Sequence, residues 1–387
     1  MRPVRRGFTF ADLYYEGTRA RHDRGEANLG TLLCRGIHLD LPFVSPPMDS
    51  VTDWSLAAAI AAKGGAGVIH RNLRKEDQAA QVKRVRDLGL IVGAAISPYP
   101  GYWPRVQMLA DAGVSFIVID SANGESDLVI NATADIKGQK SELPLIPGNI
   151  ATAQGAVDLI NAGADGLRVG KGSGAICSTS RETGMGVPQL TAIDNVASVA
   201  VRYGIPVIAD GGIIENGDMA KALAMGASSV MMGMRFAQAT ESCGMRVRWT
   251  RAEAPDSCKH HFRNDDEVIT FVIYRGMGAR WAAIEGRKIA ESEYHSQNDT
   301  TRPYVPEGVT SVVRELKPAA ELMAEWETAL QGAFWYAGSH SITEFQASVV
   351  WYECSAAAQV ERQPHDVVEV PDEVWEKGFL RTEELAV

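Results

Sequence analysis

The sequence predicts an α/β protein, a single (β/α)8 TIM barrel with a long flap insertion after its eighth strand. Three observations predict this fold. Short apolar runs rich in valine and isoleucine recur along the chain, alanine-rich helical stretches alternate with them, and a length of 387 residues suits one barrel with insertions. Continuous apolar strands of this kind are typical of a parallel sheet covered by helices.

Eight apolar runs supply the predicted strands. In chain order they span residues 42–44, 67–70, 91–95, 116–120, 143–147, 166–169, 206–210 and 229–233. Helical patterns between them include residues 54–62, 153–162 and 219–225. Strands that alternate with helices in this number indicate a closed barrel.

The chain from residue 235 to residue 309 departs from the alternation. It carries charge clusters and little helical periodicity outside residues 278–293, so we predict a finger or flap at the active site. A further helix is expected from residue 316 to about residue 333, and the acidic segment 365–387 is expected to be solvated. No low-complexity linker marks a second domain, so residues 1–387 are predicted to form one catalytic domain.

Composition excludes several classes of partner. The 38 Lys and Arg against 48 Asp and Glu give a net charge of -10, which argues against a nucleic acid or an anionic membrane as partner. The chain has neither the apolar run of a membrane span nor that of a signal peptide, so a cytoplasmic location is expected. Its 5 cysteines are scattered and form no Cys-x-x-Cys pair, which disfavours disulfides and zinc.

Six predicted strands have a polar residue or glycine at, or within two residues after, their last position, at the face where a barrel gathers its reactive groups. These positions are Ser45, His70, Asp120, Asn149, Gly170 and Asp210. Any one of them can simply cap the next helix. Six together indicate a binding site at this face.

A glycine-rich loop follows the sixth predicted strand and ends at Cys177. Gly170, Gly172 and Gly174 permit tight turns and expose backbone groups, which suits a phosphate or a cation. A thiol among hydroxyls at a barrel mouth is a candidate nucleophile, although a structural cysteine is the alternative. Later in the chain, Asp210 can accept hydrogen bonds from ribose hydroxyls, and the glycines at 211, 212 and 233 leave room for a phosphate.

Seven segments in order resemble the IMP dehydrogenase and GMP reductase family. They are residues 45–52, 64–72, 170–177, 209–213, 274–278, 304–309 and 364–367. The family's regulatory CBS pair, normally inserted after the second strand, has no space between Asn72 and Leu90. The resemblance therefore implies a catalytic barrel without its regulatory module, assembled as a homotetramer or octamer.

The resemblance also implies roles for individual residues. Cys177 would attack carbon 2 of a purine nucleoside 5′-monophosphate to form a thioimidate, with Thr179 and Glu307 handling protons. The substrate would be held by Ser173, Asp210, Gly212, Gly233, Tyr274, Gly276, Met277 and Gly278. Asp120, Ser121, Asn123 and Tyr294 would contact the nicotinamide cofactor, and the backbone of Gly170, Gly172 and Cys177 would bind potassium.

Two positions depart from the family pattern. Met234 stands where the family places a small residue beside the phosphate, which puts the standard phosphate contact and substrate in question. Lys171 stands where the family usually has an apolar residue. We expect Lys171 to face solvent; alternatively, its ammonium group would replace or repel the potassium ion.

The family has two activities, and the sequence carries signals of both. Glu293 occupies the flap position where a dehydrogenase carries arginine, unless Arg280, Arg287 or Arg302 serves instead. The Ala-Asn-Gly segment at residues 122–124 resembles the corresponding segment of reductases. Residues 274–278, 305–309 and 364–367 resemble bacterial dehydrogenases. We predict NADPH-dependent reductive deamination of GMP or of a modified, 7-deazapurine nucleotide. The alternatives are NAD-dependent conversion of IMP to XMP and a catalytically silent nucleotide-binding protein.

Overall fold

The computed structural model describes residues 4–293 and 305–361, together with Pro364 and Val367. Three short strands precede the barrel: β1 (Leu13–Tyr15), β2 (Thr31–Cys34) and β3 (Ile37–Leu39). The last two pair as an antiparallel hairpin. This hairpin leads directly into the first barrel strand.

Eight parallel strands close into a barrel. They are β4 (Phe43–Ser45), β5 (Ala66–Ile69), β6 (Gly93–Ile96), β7 (Phe116–Asp120), β8 (Leu145–Ile150), β9 (Leu167–Val169), β10 (Val207–Asp210) and β11 (Ser229–Met231). Each predicted run overlaps one of them. Pairing of β11 with β4 completes the ring, so the predicted barrel is confirmed.

Helices follow the barrel strands. They are α1 (Trp54–Ala62), α2 (Lys75–Arg86), α3 (Trp103–Asp111), α4 (Asp127–Gln139), α5 (Ala153–Asn161), α6 (Thr179–Thr183), α7 (Gln189–Ala200), α8 (Asn216–Ala224) and α9 (Gly233–Ala237). Side chains fix where some begin: Asp53 accepts the amides of Ser55 and Leu56 at the start of α1, and Thr152 caps α5.

The barrel interior has its own apolar core. It is formed by Val44, Ala66, Val68, Ala95, Phe116, Val118, Ile146, Ile208 and Met231, with Leu33, Cys34 and Leu39 added by the β2–β3 hairpin. The hairpin thus packs against the inside of the barrel at the N-terminal ends of the strands. The opposite end remains free for loops and a site.

The insertion after β11 is more ordered than the sequence suggested. It forms a three-stranded antiparallel sheet of β12 (Arg246–Thr250), β13 (Val268–Arg275) and β14 (Thr310–Arg314), with α10 (Arg280–Glu293) between the last two strands. The sequence alone predicted no strand in this segment. Charged and apolar residues alternate in β12, which is the pattern of a strand with one side facing solvent. Cys258, Phe262 and Phe271 help form a small core beneath this sheet.

The C-terminal elements return to the start of the chain. They are α11 (Ala319–Ala337), α12 (Ile342–Ser348), β15 (Trp351–Glu353) and α13 (Ala356–Glu361), and β15 pairs with β1. Trp326 of α11 is 2% exposed and contacts the rings of Phe43 and Phe236. In the described part of the chain, no helix has both the length and the apolarity to cross a bilayer.

Candidate active site

A cavity of about 600 Å³ opens at the C-terminal ends of the barrel strands. Its volume lies within the usual range for small-molecule sites. The described residues predicted for catalysis, substrate, cofactor or cation all line it: Asp120, Ser121, Asn123, Gly170, Gly172, Ser173, Cys177, Thr179, Asp210, Gly212, Gly233, Tyr274, Gly276, Met277, Gly278 and Glu307. Tyr294 lies outside the described residues.

Cys177 begins a short chain of hydrogen bonds. Its Sγ lies 3.3 Å from the hydroxyl oxygen of Thr179, and this hydroxyl donates to Oε2 of Glu307 at 2.8 Å. Cys177 is exposed to solvent, in contrast to buried Cys34. The arrangement gives an accessible thiol a path for its proton to a carboxylate.

Backbone pairing brings this trio together. The amide of Ser178 donates to the carbonyl of Glu307 at 3.0 Å, and the amide of Val309 donates to the carbonyl of Ile176 at 3.0 Å. Cys177 itself forms a β-bridge with Gly308. The segment after α10 therefore holds the Cys177 loop at the barrel mouth.

A buried charge network lies across the strand ends. Arg168 donates to Asp210 through Nε at 2.9 Å and to Asp120 through a terminal nitrogen at 2.8 Å, while Arg71 contacts the second oxygen of Asp120 at 3.1 Å. Burial alone would raise the pKa of Asp120, but Arg168 and Arg71 hold it below its usual value. The two arginines thus hold Asp120 as an anion, and Arg168 also pairs with Asp210.

The sequence alone did not reveal that Arg168 and Arg71 hold this charge network together. Neither residue receives a role from the sequence: Arg71 falls only within the segment 64–72, and Arg168 only within a predicted strand. One signal was present, since Arg168 is a lone cation within the apolar run of the sixth predicted strand. Its partners lie on β7 and β10 and become visible only when the sheet closes.

Asn149 and Asp210, which both line the cavity, each have one side-chain oxygen that accepts no hydrogen bond from the described residues. Among the described residues, none donates to Oδ1 of Asn149, which is buried, whereas Nδ2 of the same amide donates to Asp210 at 2.8 Å. The hydrogen bonds that the Asp210 carboxylate accepts from described residues both use Oδ2, which leaves its Oδ1 for a ligand. The Asp210 carboxylate lines the cavity and is partly exposed, so its free oxygen suits a ribose hydroxyl.

The end of the neighbouring strand β11 suits a phosphate. A Cβ atom on Gly233 would lie 2.4 Å from the hydroxyl oxygen of Tyr274, so only glycine allows this approach. Burial, followed by the charge of Asp210, raises the pKa of Tyr274, which keeps its hydroxyl a donor at neutral pH. Met234 lies in the cavity wall beside this corner.

Two of the six strand-end residues face elsewhere. Ser45 is fully buried and accepts a hydrogen bond from the hydroxyl of Thr52 at 2.9 Å, so it has a packing role. His70 is also buried outside the cavity lining, and burial lowers its pKa to about 4. Neither residue therefore joins the other four strand-end residues in the cavity lining.

Lys171 corrects another expectation. It is only 6% exposed and donates to Oδ1 of Asn123 at 2.7 Å and to Oε2 of Glu125 at 2.9 Å. It therefore does not face solvent, because two acceptors from the loop after β7 lie within reach. Potassium binding stays a prediction; of its three proposed backbone sites, the carbonyl of Gly170 already accepts a hydrogen bond from Asn149 at 3.0 Å.

The fold and site define a class: (β/α)8 barrels with a cysteine, a hydroxyl and a carboxylate in line above a nucleotide-sized cavity. A family profile described as "IMP dehydrogenase / GMP reductase domain" matches residues 7–365. This chain belongs to the IMP dehydrogenase and GMP reductase family, a family of oxidoreductases that act on purine nucleoside monophosphates with a nicotinamide cofactor.

Curated relatives match over almost their whole length. The inosine-5′-monophosphate dehydrogenase of Cryptosporidium parvum is 32% identical over 410 aligned positions, covering 94% of this chain and 96% of the relative. The protein of the same name from Borreliella burgdorferi is 31% identical, with 95% and 98% covered. That of Nitrosopumilus maritimus is 30% identical, with 89% and 95% covered.

Proposed function

We propose that this protein oxidises IMP to XMP with NAD through a covalent adduct of Cys177. The observation that carries the chemistry is the alignment of the Cys177 thiol, the Thr179 hydroxyl and the Glu307 carboxylate in the cavity. The names of the relatives support the direction, since the three described above are called inosine-5′-monophosphate dehydrogenases. This reverses the preference for a reductase that the flap residues suggested.

The residues of the chain then divide the work. Thr179 and Glu307 take the thiol proton as sulfur bonds to carbon 2 of the purine. The nicotinamide ring supplies the acceptor for the hydride that leaves this carbon. Water then displaces sulfur, so IMP, NAD⁺ and water give XMP, NADH and a proton. Asp210 holds the ribose, and the glycines near Tyr274 hold the phosphate.

Reductive deamination is the second candidate. Glu293, the last residue of α10, stands where the resemblance places the arginine that activates water in dehydrogenases. Glutamate has neither the charge nor the donors of arginine. In this reaction GMP, NADPH and two protons give IMP, ammonium and NADP⁺, and Glu307 with Thr179 would protonate the departing amine. Met234 in the cavity wall extends this candidate to a 7-deazapurine nucleotide.

One assay separates the two directions. Purified protein is incubated with IMP and NAD, and separately with GMP or its 7-deaza analogue and NADPH, while absorbance of the reduced nicotinamide is followed. Dehydrogenation predicts a rise in the first mixture and no change in the others. A fall confined to the NADPH mixtures would establish the reductase instead. Nucleotide binding without turnover in any mixture would indicate a silent binding protein.

A further inference from the structure

Lys171 joins three successive loops at the barrel mouth. It lies in the loop after β9, and its partners Asn123 and Glu125 lie in the loop after β7. Glu125 uses its other oxygen to accept the amides of Ala151 at 2.9 Å and Thr152 at 3.0 Å, in the loop after β8. We call these residues the lysine clasp.

The clasp is a charged link in a protected place. The side chain of Lys171 is 5% exposed and that of Glu125 is 19% exposed. Burial works to raise the pKa of Glu125, but the amide of Ala151 and the ammonium group of Lys171 hold it below its usual value. A buried ammonium group is expensive to leave unpaired, so removal of the Glu125 charge would release Lys171 from its position.

The clasp also determines which way the Asn123 amide points. An ammonium group has donors only, so it pairs with the oxygen of the amide and not with the nitrogen. Oδ1 accepts from Lys171 and from the amide of Glu125 at 3.3 Å. Asn123 is exposed and lines the cavity, and within the described residues no protein acceptor takes its Nδ2. This nitrogen is therefore the donor that Asn123 offers to a ligand.

We propose that Lys171 is a positioning residue that locks the loops after β7, β8 and β9 together and turns the Asn123 amide so that Nδ2 binds an acceptor oxygen of the nicotinamide cofactor. The inference rests on the proposed oxidoreductase function. The proposal predicts that loss of Lys171 weakens cofactor binding and leaves the Cys177 end of the loop in place. That end is held separately, by backbone hydrogen bonds with Glu307 and Val309.

Steady-state kinetics test the specificity of the effect. Lys171→Met should raise the KM for the cofactor by about tenfold to a hundredfold, the loss expected for a hydrogen bond to a charged group, with the KM for the purine nucleotide within about twofold. Asn123→Asp keeps an acceptor for Lys171 but removes the donor, so it should raise the cofactor KM as well. Lys83→Met, which breaks the exposed pair with Asp87, is the matched control and should change neither constant.

Hydrogen–deuterium exchange tests the lock without turnover. Lys171→Met should speed exchange in the peptides covering 120–125 and 170–176, whereas Asn123→Asp and Lys83→Met should leave both at native rates. A Lys171→Met protein with native exchange and a native cofactor KM would overturn the proposal, as would an equal rise in both KM values. If no nucleotide is turned over, the exchange result still decides whether the clasp couples the loops, so failure of the function is distinguishable. If Lys171→Met does not fold, an unchanged cofactor KM in Asn123→Asp overturns the cofactor contact.

Discussion

Cys177 differs from the other cysteines in its surroundings. It is exposed beside a hydroxyl, whereas burial raises the pKa of Cys34 to about 12 and that of Cys243 to about 12. The thiolate is the reactive form of cysteine, so buried thiols with raised pKa values react slowly. Exposure beside a hydroxyl thus distinguishes Cys177 from the buried thiol of Cys34 and from the largely covered thiol of Cys243.

Replacement of Cys177 by alanine should abolish turnover and leave nucleotide affinity within about tenfold, because the thiol forms the covalent adduct and holds the ligand only secondarily. Turnover and equilibrium binding measure the two effects. Thermal unfolding serves as the control: an exposed side chain leaves no cavity, so the melting temperature should stay near the native value. Substantial residual activity would show that another group is the nucleophile.

Glu307 is expected to carry proton transfer. Glu307→Gln keeps the size of the side chain and its contact with Thr179, but should lower turnover by at least about a hundredfold because a positioned acid or base typically contributes that much. Glu293→Gln is the comparison, and under reductive deamination it should be tolerated better. The measurement is the turnover rate of each variant at saturating substrate. An equal loss of rate in both variants would contradict a special role of Glu307 in proton transfer.

His70 predicts a dependence of stability on pH. Its folded pKa of about 4 lies below the ordinary value of 6.5, so the unfolded chain binds the proton first as pH falls. The contribution of neutral His70 to the free energy of unfolding should therefore be at its maximum above pH 6.5 and should decrease as pH falls from there toward 4. The charged groups around it are Asp49, Arg275, Arg105 and Arg71. His70→Gln should lose less stability than the native protein between pH 7 and pH 5 in denaturant titrations.

At the scale of elements, the loop after β9 depends on close backbone approach. Gly170 has φ of 146°, and a Cβ there would lie 2.0 Å from the carbonyl oxygen of Asp210. The loop can therefore pass the end of β10 only if this residue is glycine. The same approach brings the Cys177 loop beside Asp210.

Gly170→Ala should displace the loop and lower kcat/KM strongly. Gly184→Ala is the matched control, because Gly184 also has a positive φ, 72°, but a Cβ there meets nothing within 4 Å. The control should cost only the local backbone strain of about 1 to 2 kcal/mol and keep activity. Comparable kinetics in the two variants would mean that the approach to Asp210 is not needed.

For the whole molecule, we expect a homotetramer or octamer. Tyr336 on α11 is 62% exposed and offers apolar surface to a partner copy, whereas Trp326 on the same helix is buried within the chain. Trp281 on α10 is also 62% exposed, which adds apolar surface for a partner copy. Light scattering at micromolar concentration should give four or eight times 41.8 kDa, and a mass equal to one chain would refute the assembly.

The sequence by itself determined the barrel and the sites of chemistry along it. Strand and helix patterns arise from neighbouring residues, so eight strands were predicted, and the Cys177 loop was recognised from consecutive residues. The finger sheet was missed because its strands pair across long gaps and have one solvated side.

Only the tertiary structure decided which of these residues act together. Thr179 and Glu307 are 128 residues apart, and Lys171 and Glu125 are 46 apart. It also leaves Ser45 and His70 outside the cavity lining and places Arg168 between the carboxylates of Asp120 and Asp210. The physical reason is that local patterns fix the direction of a strand, whereas the distance between side chains on different strands is set by closure of the barrel and by packing of the insertion against it.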